Sequence, residues 1–372
     1  MEKNHEIETT MNLTEVKYDC RHFRTNIPCL PNKKENTLCV SCSYYEPIKT
    51  RILIIKLGAL GDVIRTTPLV EKFRKSYPGV HITWITLSPA ILPSDQIDVI
   101  CKWEFTSVFT IQHSTFDIAV NLDKDMEACM LLENVCANTK YGYTWKNNHI
   151  APATPAAEHK LMTGFFDELS VKNTKSYLEE IFEICHFKFQ KEDYLIALND
   201  SLAKKWKETL YDKAKGKLIV GLNTGCGPRW NTRLWSDRSW MELADLLQKD
   251  GFYPVFLGGE LEHEKNQRMS SMTSTYYPGH YSLEEFIAIS NGCEIIVTQV
   301  SMMMHIATAL KKKLVLCNTI FNKHEFELYD RGKLVEPHVP CVCFYGNTCI
   351  KGESCMQSIK PADFMKLINE LV

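Results

Sequence analysis

Short apolar runs of strand length alternate with amphipathic stretches along most of the chain, and the alternation begins at Arg51. "RILIIKL" (51–57) is rich in Ile, as expected for a strand covered on both faces of a sheet. It runs into Gly58 and Gly61, and a helix follows. Thr67-Pro68 can open that helix, with Thr67 as N-cap and Pro68 at its first position. The alternative is a helix that starts near Gly61 and kinks at Pro68. Lys72, Arg74 and Lys75 suit the C-terminal half, and Pro78-Gly79 ends it. "VHITWIT" (80–86) and "FDIAVNLD" (116–123) read as strands. "EACMLLENVCA" (127–137) reads as a helix and "KYGYTW" (140–145) as a short strand.

Residues 151 to 215 are polar and mostly helical, and they include the linker. A second series then begins. "KLIVGLNTG" (217–225) is a strand ending in a Gly-rich loop, "WMELADLLQKDG" an amphipathic helix with a Gly stop, and "YPVFLGG" a strand. "SLEEFIAISNG" is a helix with Ser282 as N-cap and Glu285 completing a capping box. "EIIVTQ" and "KKLVLCNT" are strands on either side of a helix over "MMMHIATALKK". Strands alternating with helices predict parallel sheets. The organisation is two Rossmann-like halves with a cleft between them, preceded by a polar, cysteine-bearing stretch over 1–50.

Length and charge agree with this. At 372 residues the chain can fill two domains, and a net charge of −2 argues against a nucleic-acid footprint. The first twenty residues lack the apolar core of a signal peptide, and no run is long enough to span a membrane. The expectation is a soluble intracellular protein. Fifteen cysteines change the picture, because clustered thiols in a reducing compartment suggest metal. Cys20, Cys29, Cys39 and Cys42 form one cluster, with Cys39-x-x-Cys42 at zinc-knuckle spacing. Cys341, Cys343, Cys349 and Cys355 form a second, less zinc-like in spacing, and the two could share one site. Zinc is the default for four thiolates, with iron as the alternative; a redox sensor is the non-metal reading. Cys101, Cys129, Cys136, Cys185, Cys226, Cys293 and Cys317 read as small core residues.

Three loops carry candidate chemistry. Gly58, Gly61 and Asp62 stand at the turn after the first strand. Asp62 is either a cap on the following helix or a base facing the cleft, since ligands of parallel sheets bind at the strands' carboxyl ends. "NTGCGPRWNTRLWS" (223–236) offers Gly225 and Gly227, Arg229 and Arg233, with Trp230 and Trp235 interleaved. Backbone amides and an arginine fork suit a pyrophosphate. In "TQVSMMMHIATAL" (298–310), Ser301 can cap a helix whose free amides face an anion. His305 on that helix is more simply a core histidine. Asp123 and Asp125 of "DKD" form a weak divalent-cation motif or a helix start.

Together these stretches resemble glycosyltransferase family 9, the ADP-heptose heptosyltransferases of lipopolysaccharide assembly, over roughly residues 51 to 370. "ILIIKLGALGDVIRTTPLVEKFRKSYPGV" resembles the family's opening ILI(K/R)xxxxGDV(I/L)xTxP, "GLNTGCG…TRLWS" its xNPGxG…KRW loop, and "FLGGELE" its LGGPxE. The resemblance implies a GT-B fold. It divides the chain into the 1–50 extension, an acceptor domain over 51–210, a nucleotide-sugar domain over 211–340, and a 341–372 segment. That segment's helix would return to the first domain and bring both cysteine clusters to one side. By motif, Asp62 falls on the catalytic base, with Gly58 and Gly61 in its acceptor-side loop. Arg233 falls on the basic residue at the donor diphosphate, Ser301 and Met302 on the Thr-Gly whose amides receive phosphate, and His305 on the motif's histidine. Gly225, Gly227 and Arg229 line the same donor side. Val300 and Met302 replace the family's acid and glycine.

The implied activity is inverting transfer of a sugar, heptose in the family, from ADP-heptose to a hydroxyl of a glycan, lipopolysaccharide or protein. It needs no divalent ion, because fixed positive charge does that work. The cysteine clusters suggest a specialised branch with a structural zinc or iron. A cytoplasmic location follows, with peripheral attachment to the inner membrane face and oligomerisation left open. The competing readings are a non-catalytic sugar-nucleotide or glycan-binding module and a Rossmann oxidoreductase. The absence of G-x-G-x-x-G speaks against the latter.

Overall fold

Burial on both faces makes a strand of the first Ile-rich run. In the computed structural model, which describes residues 11–229 and 231–372, β1 spans Thr50–Ile55 and buries its last four residues. A short helix α1 (Leu30–Glu35) precedes it. After β1 the chain makes two helices, α2 (Leu60–Ile64) and α3 (Pro68–Ser76), so the helix starts at the glycine turn and restarts at Pro68. The Thr67 hydroxyl, expected to cap α3, instead donates to Ile64 O and accepts the Leu195 amide at 2.7 Å. β2 (Val80–Thr86), β3 (Val99–Lys102), α4 (Phe105–Gln112), β4 (Thr115–Asn121) and α5 (Met126–Asn134) follow. β5 (Cys136–Lys146) is longer than expected and turns at Asn147-Asn148 into β6 (His149–Pro152). The sheet order is β3-β2-β1-β4-β5-β6, parallel except for β6.

Helices α6 (Glu158–Phe165), α7 (Asp167–Lys172) and α8 (Tyr177–Ile184) complete the first half. The chain then crosses through residues 185–199, which hold no helix or strand, to α9 (Asp200–Ala214). α9, most of which lies within the 51–210 range read from sequence as the first half, packs on the helix α12 (Leu283–Asn291) of the second. The second half comprises β7 (Ile219–Asn223), α10 (Asp237–Lys249), β8 (Tyr253–Leu257), α11 (His263–Thr273), α12 (Leu283–Asn291) and β9 (Ile295–Gln299). It continues with α13 (Met302–Ala309), β10 (Lys313–Cys317), β11 (Gly332–Val335) and α14 (Pro361–Leu371). Its five strands are all parallel, in the order β11-β10-β9-β7-β8. Two facing parallel-sheet halves are the GT-B arrangement. Ser282 caps α12 as expected, but Glu285 accepts from Trp206 Nε1 at 2.9 Å, so the second bond of the capping box is not made.

The C-terminal helix departs from expectation. α14 packs on α10, β10 and β11 of the second half and does not return to the first. Phe364 and Ile368 are fully buried in a core with Trp235, Trp240 and Leu247. Burying each such side chain contributes about 1.5–3 kcal/mol, which holds the helix there. The N-terminal stretch is tied instead to the first sheet. Arg21 bonds Glu46, Asp98 and Val80 O, and Cys20 bridges Pro47. Of the scattered cysteines, Cys129, Cys185, Cys226, Cys293 and Cys317 are buried as read from sequence, whereas Cys101 is half-buried and Cys136 exposed.

Candidate active site

At the carboxyl end of β1 the chain must turn without leaving amides unpaired. Asp123, at the end of the neighbouring strand β4, satisfies them. Its Oδ2 accepts from the Leu57 amide at 2.9 Å, the Gly58 amide at 3.2 Å and Lys56 Nζ at 3.2 Å. A carboxylate already fills the amide cradle that a phosphate would need, and it is neutralised by a buried lysine. The same contacts correct the divalent-cation reading of "DKD": Lys56 stands where a cation would bind Asp123, and Asp125 is the N-cap of α5.

Asp62 sits at the third position of α2. It reaches back to the Ala59 amide, so the capping reading holds geometrically, and it also pairs with Arg65 Nη2 at 2.7 Å. Its side chain retains 36% exposure, toward which a reacting group can approach. Burial favours the neutral acid, but Arg65, Lys56 and the Ala59 amide outweigh it and hold the carboxyl below its ordinary value. Behind it, Lys124 and Lys160 add positive charge. Lys160 pairs with buried Glu180 at 2.5 Å. Burial and the neighbouring Lys160, Lys56 and Arg65 push Lys124 down.

His305 does not stand among the loops read as donor-binding. Its ring packs from α13 onto α2, where a Cβ on Gly61 would lie 2.5 Å from Cδ2. Gly61 is therefore glycine to let the two halves meet, whereas Gly58 has ordinary space around it. The ring also stacks on Tyr194, with centroids 6.1 Å apart. Burial, and Arg65 beyond it, push its pKa down to about 3, so the imidazole is neutral; its Nδ1 is buried without a partner.

In the second half, the loop after β7 carries Gly225 and Gly227, the latter at φ +73° where glycine is favoured. Arg233 is buried and donates to Val300 O and Cys226 O, which clamps this loop to the start of α13. Burial lowers its pKa, partly offset by Cys226. Ser301 is the N-cap of α13, its hydroxyl accepting the Met303 amide at 3.3 Å. Met302 opens the helix and is half-buried, and Arg229 is exposed beside the loop. Trp230 lies outside the described residues. The structure thus brings Gly225, Gly227, Arg233 and Ser301 together, with Asp62 on the other half.

Glu262 belongs to this group and was not singled out from sequence. Its carboxyl lies where a Cβ on Gly225 would come within 2.2 Å, and it accepts the Gly259 amide at 3.0 Å. The signal was the glutamate of "FLGGELE", quoted above for its motif alone. Gln299, the last residue of β9, is buried with both side-chain heteroatoms unpartnered.

Among the described residues no group of three or more His, Cys, Asp or Glu side chains is placed to hold a metal ion. The N-terminal thiols are not gathered: Cys29 caps α1, Cys39 opens a short turn that Cys42 ends, and Cys20 lies at the Pro47 bridge. The C-terminal thiols form pairs. Cys343 and Cys349 are 3.9 Å apart, and Cys355 is hydrogen-bonded with Cys341. Burial and the neighbouring Cys341 push the Cys355 thiol up to about 12.

Residues 109–333 match the sequence family described as glycosyltransferase family 9 (heptosyltransferase). The chain belongs to this family. It is a heptosyltransferase-like glycosyltransferase, and the matched stretch includes the 223–236 and 298–302 loops of the second half. No curated protein matches the sequence. Among solved structures, the family 9 glycosyltransferase from Veillonella parvula DSM 2008 is similar with TM-score 0.66 and 18% identity, over 88% of this chain and 98% of that one. The E. coli heptosyltransferase WaaC with ADP-2-deoxy-2-fluoro heptose has TM-score 0.58 and 16% identity, over 87% and 100%. The dodecameric iron-containing heptosyltransferase TibC, from E. coli H10407, was solved with ADP-D-beta-D-heptose; it has TM-score 0.54 and 12% identity, over 87% and 76%. These likenesses establish the two-half fold. Among the described residues no helix is long and apolar enough to cross a membrane.

Proposed function

We propose that the chain transfers a heptose from ADP-heptose to a hydroxyl of a glycan, lipopolysaccharide or protein acceptor, with inversion at the anomeric carbon. The observation that carries this is Asp62, held ionised at the carboxyl end of β1 and opposite the Gly225–Arg233 and Ser301 loops. In a single displacement, Asp62 takes the acceptor's hydroxyl proton as its oxygen bonds the anomeric carbon. The bond from that carbon to the diphosphate oxygen breaks, and ADP leaves. Amides of Gly225, Gly227 and Met302, with Arg233 behind them, stabilise the departing charge. Arg229 contributes at the loop's edge. No divalent ion enters this scheme. Residues 51–210 would supply the acceptor and 211–340 the donor, in a cytoplasmic enzyme. Incubation with a panel of nucleotide sugars, followed by NMR of the product's anomeric centre, tests the reading. ADP-heptose turnover with inversion is expected; tight donor binding without turnover or hydrolysis would instead favour a non-catalytic module, which Val300 in place of the family's acid makes the second reading.

We also propose that a structural zinc or iron would draw the Cys343–Cys349 and Cys341–Cys355 pairs, which stand as two separate pairs in the structure, into one site, rather than the N-terminal set. Two thiolates on one tetrahedral metal with bonds of about 2.3 Å stand about 3.8 Å apart, and the Cys343–Cys349 pair is at 3.9 Å. The Ile350 amide also donates to Cys343 Sγ at 3.4 Å, a hydrogen bond that would stabilise a metal-bound thiolate there. Elemental analysis of protein purified without chelator should find zinc or iron in the wild type and in Cys39→Ser/Cys42→Ser. It should be lost from Cys343→Ser/Cys349→Ser; retention there contradicts the assignment.

A further inference from the structure

Asp62 shares one turn of α2 with a cation that makes its closest contacts to that carboxylate and to one ring. Arg65 Nη2 lies 2.7 Å from Asp62 Oδ1, and the guanidinium carbon lies 3.6 Å above the centroid of the Tyr177 ring. Its Nε is buried without a hydrogen-bond partner. The ring is fixed in turn. Tyr177 is buried at the start of α8, and its hydroxyl is 3.3 Å from Thr66 Oγ1. Thr66 Oγ1 donates to Asp62 O at 2.7 Å, closing a circuit through Asp62, Arg65, Tyr177 and Thr66. A guanidinium stacked flat on an aromatic face has its plane set by the ring, so its N–H directions are set as well.

We propose that Arg65 is the positioning residue for the base: stacked on Tyr177, it fixes the orientation of the Asp62 carboxylate and aims it at the acceptor hydroxyl. This rests on the reading of Asp62 as base. The other charged and titratable groups around Asp62 do not replace Arg65. Lys56, at the end of β1, already has Asp123 as its carboxylate. Lys124, after β4, abuts Gly164 of α6. From the second half, His305 on α13 is neutral, and Tyr194 of the crossing segment is pushed further toward its neutral form by burial. Glu325 faces Arg65 rather than Asp62. A base held this acidic accepts the proton as the oxygen–carbon bond forms, when the hydroxyl proton has become acidic, and releases it to water after each turnover, because its ionised form is the favoured one at neutral pH.

The test is the pH profile of kcat for wild type, Arg65→Gln, Arg65→Lys and Asp62→Asn, with the KM for donor measured alongside. In Arg65→Gln, burial of Asp62 is no longer opposed by its nearest cation. The acid limb is expected to move up by about 1–3 pH units, and kcat at neutral pH to fall with donor KM within about twofold. Arg65→Lys keeps the charge without the planar stack, so the limb should stay and kcat should fall several-fold. An Arg65→Gln limb at the wild-type pH, or Arg65→Lys at wild-type kcat, overturns the proposal. If Arg65→Gln does not fold, the Arg65→Lys comparison alone decides it. Asp62→Asn separates the two readings: an inactive Asp62→Asn with an unmoved Arg65→Gln limb removes Arg65's role alone, whereas an active Asp62→Asn removes both.

Discussion

Asp62→Asn should lower kcat by about two to four orders of magnitude, the span expected when a positioned general base is lost, while ADP-heptose still binds with its wild-type affinity. The two parts of this expectation come from different halves of the molecule. Asp62 lies on α2 of the first half, and Gly225, Gly227, Arg233 and Ser301 lie on the second. Asparagine can keep the Asp62 bond to the Ala59 amide, because its carbonyl oxygen still accepts. It cannot take a proton, and it carries no charge for Arg65. A folded Asp62→Asn that binds donor and does not transfer is therefore the expected protein. Near-wild-type transfer would mean that the carboxylate serves only as a helix cap.

Asp123→Asn should have the largest effect on stability. It leaves Lys56 buried, with its charge unpaired, against a neutral amide. Breaking one side of a buried pair costs about 3–5 kcal/mol. The loss reaches further than the pair, because Asp123 also accepts the Leu57 and Gly58 amides that set the turn before Asp62. Denaturant titration should show the shift. Replacing both members with apolar residues, Lys56→Met with Asp123→Leu, should recover part of it, since no buried charge then remains. A loss below about 1 kcal/mol for Asp123→Asn would show that the pair is solvated and that the turn is held by something else.

The strands were legible because each is covered on both faces, which leaves an apolar run of strand length in the chain. "RILIIKL", "VHITWIT" and "EIIVTQ" all became strands within a residue or two of their expected ends. The β5–β6 hairpin was missed although its signal was present. Asn147 and Asn148, both at positive φ, form a two-residue turn of the kind that favours Asn. The C-terminal helix was placed on the wrong half because an apolar face says that a helix packs and not where. Only the Trp235–Trp240–Phe364 cluster decides that.

At the candidate site, the placement of Asp62 and of the Gly225–Arg233 loop just after strand ends was readable from local motif. Asp123 was not, because its partners Lys56, Leu57 and Gly58 lie 65 to 67 positions away. Gly61 illustrates the same limit. It was placed by motif in the acceptor-side loop, and the close approach it permits is that of His305 from the other half. Arg233 was read as a phosphate contact from its motif; the structure shows it as a clamp between Cys226 O and Val300 O.

The central claim is a division of labour: diphosphate on the second half, base on the first. A crystal structure of this chain with ADP-2-deoxy-2-fluoro-heptose tests it most directly. The account predicts the diphosphate within hydrogen-bonding reach of the Gly225–Gly227 and Ser301–Met302 amides, with the anomeric carbon facing Asp62 across the cleft. A diphosphate seated on the Leu57–Asp62 turn, displacing Asp123 from the amides it now holds, would contradict it.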